Sequence, residues 1–186
     1  MAESKIPLTA VVGPTASGKT SLAVELCKRL NGEAVSCDSM QIYKGMDIAT
    51  ANPSEIEMQG VPHHLIGFLD PEIPFSVAKY CEMAKSAIND IVARGKRAVL
   101  VGGTGLYYSS LVDNIEFLPD ETDFEYREEL KKKAVMNGAQ CLLDELYGID
   151  PEAASRLHVN NVGRIIRALE MYHTTGKTIT QQNELS

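Results

Sequence analysis

The chain has 186 residues, 44% of them hydrophobic and 23% charged, enough for a sizeable core without disulfide or metal staples and in the range of one domain or a domain with an appendage. No apolar run is long enough to span a bilayer and no apolar leader follows Met1, so neither a membrane partner nor secretion is expected. The formal net charge of −7, taken alone, argues against nucleic acid, but it is uneven: acids dominate residues 115–150, whereas after Pro151 the bases Arg156, Arg164, Arg167 and Lys177 face only Glu152, Glu170 and Glu184.

In chain order, residues 6–12 are an apolar, β-branched run that predicts a buried strand. Gly13-Pro14-Thr15-Ala16-Ser17-Gly18-Lys19-Thr20 follows it. Residues 21–30 predict a helix, with Leu22, Ala23, Leu26, Cys27 and Leu30 on one face and Gly32 ending it. Residues 34–37 predict a second strand with Asp38 at its C-terminal end. Residues 44–75 read as long loops with one short helix, where Ser54 and Glu57 have capping-box spacing. Ser76 opens another helix whose face is Val77, Tyr80, Cys81, Ala84, Ile88 and either Ile91 or Val92, and Gly95 closes it. Residues 98–101 predict a third strand, running into Gly102-Gly103-Thr104-Gly105. Alternating strands and helices predict an α/β fold of the P-loop NTPase type, a parallel sheet flanked by helices, with ligands at the strands' C-terminal ends.

After Leu118-Pro119 the character changes. Thr122 and Glu125 have capping-box spacing, and segments 139–147, 151–157 and 160–174 read as helices with no further strand. We therefore expect two parts, a P-loop core over 1–118 and a helical appendage over 119–186. The cysteines Cys27, Cys37, Cys81 and Cys141 form no C-x-x-C pair, which predicts reduced thiols and a cytoplasmic location.

The chemistry begins at the P-loop. G-x-x-x-x-G-K-T between a strand and a helix lets backbone N–H groups of Gly13, Thr15, Ala16, Ser17 and Gly18 cradle phosphate oxygens. Lys19 adds a charge and Thr20 a hydroxyl for Mg²⁺. The acidic residue that ATPases place at the end of a second apolar strand is absent after residues 98–101, which end in Gly102-Gly103. A carboxylate stands instead at Asp38, expected beside the P-loop. It can serve as a base or hold an acceptor hydroxyl, or it can cap a turn. Thr104 can donate into the same cleft, unless the glycine turn is only a tight connection. His63-His64 read as loop residues or substrate contacts rather than metal ligands.

These segments, together with Asp38-Ser39-Met40-Gln41-Ile42-Tyr43, Pro62-His63-His64, Asp70-Pro71, Val101-Gly102-Gly103-Thr104-Gly105-Leu106-Tyr107 and Arg164-Ile165-Ile166-Arg167-Ala168-Leu169-Glu170, resemble the tRNA dimethylallyltransferases, or tRNA isopentenyltransferases, in order and spacing. The resemblance implies transfer of a dimethylallyl group from dimethylallyl diphosphate to N6 of the adenine 3′ of the anticodon, with pyrophosphate leaving. It implies Asp38 as the base that contacts the acceptor amine, Thr104 near the bridging oxygen, and Arg127 at the diphosphate with the P-loop. It implies tRNA contacts from Asp38, Ser39, Met40 and Gln41 and from Gly163, Arg164, Ile165, Ile166 and Arg167. Mg²⁺ and a monomer are expected. The chain stops at Ser186, where family members continue into further tRNA contacts and another arginine, so the resemblance is to a truncated member. Two other readings stay open from the residues: a small-molecule P-loop kinase using ATP, and a fragment that binds anions without turnover.

Overall fold

In the computed structural model, which describes residues 6–46, 50–115, 117 and 123–185, the strand signals of the first part assemble into one parallel sheet. Strands β1 (Thr9–Val12), β2 (Gly32–Ser36), β3 (His63–His64) and β4 (Arg97–Gly102) lie in the order β1-β4-β2-β3. The register pairs Val11 with Val101 and Val35 with Leu100. Alternation along β4 divides the core in two, since successive side chains of a strand point to opposite faces. Val99 and Val101 pack with Ala23, Val24 and Cys27 of α1 (Lys19–Leu30), whereas Ala98 and Leu100 pack with Tyr80, Ala84, Ile88 and Ile91 of α3 (Val77–Ala93). Helix α4 (Gly105–Val112) adds Tyr107 and Leu111 to the second face, and the Tyr80 and Tyr107 rings stack at 4.1 Å. Between β2 and β3 in the chain, α2 (Glu55–Met58) starts on the Ser54–Glu57 capping box, both bonds of which form.

Four expectations are corrected. β1 is shorter than residues 6–12 and only Val11 is buried in it, because it is an edge strand of the described sheet with one neighbour. In α1 the buried face is Ala23, Val24 and Cys27, while Leu22 and Leu30 are exposed, so the packing stripe is rotated from the expected one. Gly32 does not end α1. Asn31 does so in a left-handed conformation, and Gly32 starts β2, where a Cβ would stand 2.6 Å from the Arg97 carbonyl oxygen. His63-His64 are likewise not loop residues but β3, parallel to β2.

The residue that ties this sheet to its helices is Glu33, an acid inside β2 that is only 2% exposed. Its carboxylate accepts from Arg94 at 2.6 and 2.8 Å, from Lys96 at 2.7 Å and from His64 Nε2 at 2.7 Å. One buried acid thus joins β2, β3, the end of α3 and the entry to β4. The Arg94 guanidinium, with Lys96 and His64, holds the Glu33 carboxyl far below the usual carboxylate range against the opposing cost of burial.

The chain divides into two compact units, 1–115 and 116–186. The boundary expected at Pro119 and the cap expected at Thr122 lie outside the described residues. The second unit contains α5 (Phe124–Asn137), α6 (Gln140–Ile149), α7 (Pro151–Ser155), α8 (Val162–Thr175) and α9 (Ile179–Leu185). Its core is Leu130, Leu142, Leu146, Ala154, Ile165, Ile166, Ala168 and Leu169. Helix α5 is capped by Asp123, which accepts from the Tyr126 N–H at 2.9 Å. Helix α9 is not among the expected elements, although its signal is present: Thr178 accepts from the Gln181 N–H and Gln181 from the Thr178 N–H, a capping box of the Thr-x-x-Gln form.

Candidate active site

Three loops of the first unit leave the C-terminal ends of β1, β2 and β4. The first is the P-loop. Gly18 takes φ 80° and caps α1 with no side chain, Ala16 takes φ 62°, and no acid stands in the first turn of α1. The helix N-terminus is therefore left with unsatisfied N–H groups and a positive end, an arrangement suited to an anion. Ser17 Oγ donates to the Pro14 carbonyl at 2.8 Å, and Lys19 Nζ folds back onto the same carbonyl. Thr20 is half-buried, and its hydroxyl has no hydrogen-bond partner among the described residues.

Lys19→Ala should weaken pyrophosphate binding in the presence of Mg²⁺ by about 1.5–3 kcal/mol, the worth of a charge-assisted contact. Calorimetric titration of both forms measures this. Equal affinities would mean that the ammonium stays on Pro14 when the anion binds.

The second and third loops meet each other through backbone. Sheet order puts β4 between β1 and β2, so Asp38 is not on the strand next to the P-loop, as its position after the second strand suggested. It reaches that region across Gly102-Gly103. Cys37 donates its N–H to Val101 at 2.7 Å, and Thr104 donates its own to Cys37 at 3.1 Å. A Cβ on Gly102 would lie 2.1 Å from the Cys37 carbonyl oxygen, so only glycine lets the two chains approach this closely. A Cβ on Gly103 would lie 3.2 Å from the Gly13 carbonyl oxygen and 3.7 Å from Asp38 Oδ2. The space that Gly103 leaves open is bracketed by the P-loop on one side and the carboxylate on the other.

The two oxygens of Asp38 differ. Oδ1 accepts from the Met40 N–H at 2.9 Å, the turn-capping bond that the sequence allowed, while Oδ2 has no hydrogen-bond partner among the described residues. One oxygen fixes the side chain and the other is free to accept a proton. Thr104 Oγ1 accepts from the Ser39 N–H at 2.9 Å and contacts Ser39 Oγ at 3.2 Å. Its backbone bond is kept whichever way the hydroxyl turns, so the hydroxyl proton can go to Ser39 Oγ or to a ligand oxygen. Gln41 is used internally: its Oε1 accepts from Ser36 Oγ at 3.0 Å and its Nε2 donates to the Ala51 carbonyl at 3.2 Å. Met40 is exposed. His63 Nδ1 bonds the Val61 carbonyl at 2.8 Å, and burial pushes its pKa down. Among the described residues no group of three or more His, Cys, Asp or Glu could hold a metal ion.

In the second unit, Gly163, Arg164, Ile165, Ile166 and Arg167 lie in the first turns of α8, with both arginines exposed and both isoleucines buried in the helical core. Glu170, one turn on, is fully buried, and its Oε2 accepts from Arg127 Nη2 at 2.6 Å and from Arg167 Nη1 at 3.2 Å. The Arg167–Glu170 pair is the ion-pair alternative that the i,i+3 spacing offers. The link to Arg127, 43 positions away, has no local signal. It holds the guanidinium of α5 against α8, where the Tyr126 and His173 rings also stack at 3.9 Å.

Comparison with known proteins agrees with these motifs. The family model described as IPP transferase matches residues 41–186. The tRNA dimethylallyltransferase of Caldanaerobacter subterraneus subsp. tengcongensis is 51% identical over 181 residues, covering 97% of this chain and 58% of its own length. The Bacillus subtilis enzyme of the same name is 50% identical over the same extent of both chains. Among solved structures, the full-length tRNA isopentenylpyrophosphate transferase of Bacillus halodurans is 49% identical with a TM-score of 0.62, over 93% of this chain and 57% of that one. A eukaryotic dimethylallyltransferase captured acting on tRNA is 29% identical with a TM-score of 0.77, over 98% of this chain and 44% of that one. The chain thus spans about 58% of the length of the curated relatives it matches. A family match across most of the chain, and half-identity over nearly all of it, mean that this chain belongs to the IPP transferase family.

Proposed function

We propose that this protein transfers a dimethylallyl group from dimethylallyl diphosphate to N6 of the adenine on the 3′ side of the anticodon in tRNA, releasing pyrophosphate. The observation that carries the reading is the space at Gly103, with the Gly13 carbonyl on one side and the free Asp38 oxygen on the other. The P-loop and the carboxylate thus come together at one point of the chain, so a leaving group held by the first and an acceptor held by the second would be neighbours. Family membership and the names of the relatives support the same chemistry.

As the allylic C–O bond breaks, its electron pair leaves with pyrophosphate. The loop N–H groups, the α1 N-terminus and Lys19 meet that growing charge. Mg²⁺ fits this donor set, because it takes few protein ligands and completes its shell with phosphate oxygens and water. Thr20, whose hydroxyl has no partner among the described residues, would hold it, and the ion when bound shares the leaving group's charge. The amine nitrogen forms the new C–N bond and gives its proton to Asp38 Oδ2. Thr104 turns its hydroxyl toward the bridging oxygen. Asp38, Ser39, Met40 and Gln41 line the acceptor's approach, and Gly163 to Arg167 of the helical unit contact the anticodon stem-loop. A monomer acting in the cytoplasm is the simplest setting.

Replacing Arg164 and Arg167 together by Ala tests the RNA half of the proposal. Affinity for an anticodon stem-loop should fall, and its dependence on log salt should flatten by about one to two units. A salt series on both forms measures the slope. An unchanged slope would return the pair to solvated or Glu170-bound arginines.

A further inference from the structure

The helical unit contains a cavity of about 310 Å³ between α7, α8 and α9 that has no assigned role. We propose that it receives one unstacked nucleotide of the tRNA anticodon loop, other than the acceptor adenine; the inference rests on the RNA reading above.

Three features point to that ligand. The first is mixed chemistry. Ala153, Leu157 and Ile179 give an apolar lining, and Arg156, Arg164 and Arg167 bring three guanidinium groups to it. A purely apolar ligand would not need the arginines, and a free phosphate would not need the apolar lining. A nucleotide uses both, with its base on aliphatic carbon and guanidinium planes and its phosphate at the charges. The second is the charge balance. Arg156 pairs with Glu152 and Arg167 with Glu170, whereas Arg164 is exposed with no ion pair among the described residues. One cation at the cavity therefore stands available for a phosphate.

The third feature is that the walls are fixed in advance. Asp150, only 4% exposed, accepts from the Ala153 N–H at 3.0 Å, the Thr180 N–H at 3.0 Å and the Thr180 hydroxyl at 2.7 Å. It pins the start of α7 to the start of α9, so the cavity does not depend on a ligand to form. Its volume lies at the small end of ligand sites, which run from roughly 300 Å³ upward. That suits one nucleotide and excludes a helix. Duplex RNA, whose bases stay stacked, cannot fill it.

The test compares three probes on the full chain: an anticodon stem-loop, a blunt RNA duplex of equal length, and AMP. Asn183 also lines the cavity and is exposed, so Asn183→Trp obstructs it without disturbing the core. Arg156→Ala removes one guanidinium, and melting curves verify that both variants fold. The expected result is a loss of about five- to tenfold in stem-loop affinity for Asn183→Trp, the low end of what stacking one base contributes. Arg156→Ala should show a smaller loss, and duplex binding should be unchanged in both. If both variants bind the stem-loop as the parent does, the cavity assignment is overturned while the tRNA reading stands. If AMP binds as tightly as the stem-loop, the cavity takes a free nucleotide and not the RNA loop. If the parent binds neither RNA, the tRNA reading itself fails, and this assignment with it.

Discussion

Asp38→Asn should lower single-turnover transfer to an anticodon stem-loop by about 10²–10⁴-fold, the usual worth of a general base, while leaving dimethylallyl diphosphate binding intact. The exocyclic amine of adenine is a poor nucleophile because its lone pair is delocalised into the ring. It must lose a proton as the C–N bond forms, so a carboxylate in reach both orients it and takes the proton. The substitution is informative here because the two oxygens of Asp38 do different things. Asn can keep the 2.9 Å bond from the Met40 N–H through its carbonyl oxygen, so the turn survives. At Oδ2 it puts an amide that cannot accept the proton. Calorimetry on the diphosphate and rapid-quench transfer on the RNA separate the two effects. Transfer at the parent rate would reduce Asp38 to its turn-capping bond.

The second large effect concerns stability. Glu33→Gln should destabilise the protein by about 2–3 kcal/mol at neutral pH. Breaking a buried ion pair costs about 3–5 kcal/mol, and the figure is reduced here because Arg94 and Lys96 still reach water when the acid is gone. The deficit should depend on pH. The folded-state pKa of Glu33 is lowered, first by Arg94 and further by Lys96 and His64. Its contribution is therefore fully present above the unfolded carboxyl value of roughly 4.3 and is lost as pH falls below it toward the depressed folded value. Urea melts of both forms between pH 7 and pH 3 should show a gap that holds to about pH 5 and then narrows. A gap independent of pH would mean that the charge of Glu33 is not what holds β2, β3 and α3 together.

Much of this site is legible in the sequence because its signals are local. The P-loop is a contiguous motif between a strand and a helix, Ser54 and Glu57 declare their capping box, and Ser76 starts α3 as its position suggests. What the sequence hides is non-local. Strand order decides that β4 separates Asp38 from the P-loop strand, and nothing near Asp38 encodes that. The need for glycine at 102 comes from Cys37, which is remote along the chain but would stand 2.1 Å from a Cβ there. Glu33 stands just before the expected second strand and has no sign of burial until Arg94, Lys96 and His64 converge on it from three other segments. Glu170 is half legible: its partner Arg167 is one turn away, but Arg127 is not. Helix α9 is the one loss with a local cause that could be read, since Thr178 and Gln181 carry capping-box spacing in a stretch poor in apolar residues.

On the proposed reading, the P-loop holds a leaving diphosphate and not a phosphoryl donor, with Asp38 facing the acceptor. That reading is tested by offering the full-length protein two substrate pairs side by side, with Mg²⁺. One pair is dimethylallyl diphosphate labelled in its hydrocarbon with an anticodon stem-loop; the other is ATP labelled in its γ-phosphate with a panel of small alcohols. The expected result is hydrocarbon label on the adenine 3′ of the anticodon, one pyrophosphate released per group transferred, and no phosphorylated alcohol. Phosphate transfer to an alcohol with the RNA left untouched would contradict it.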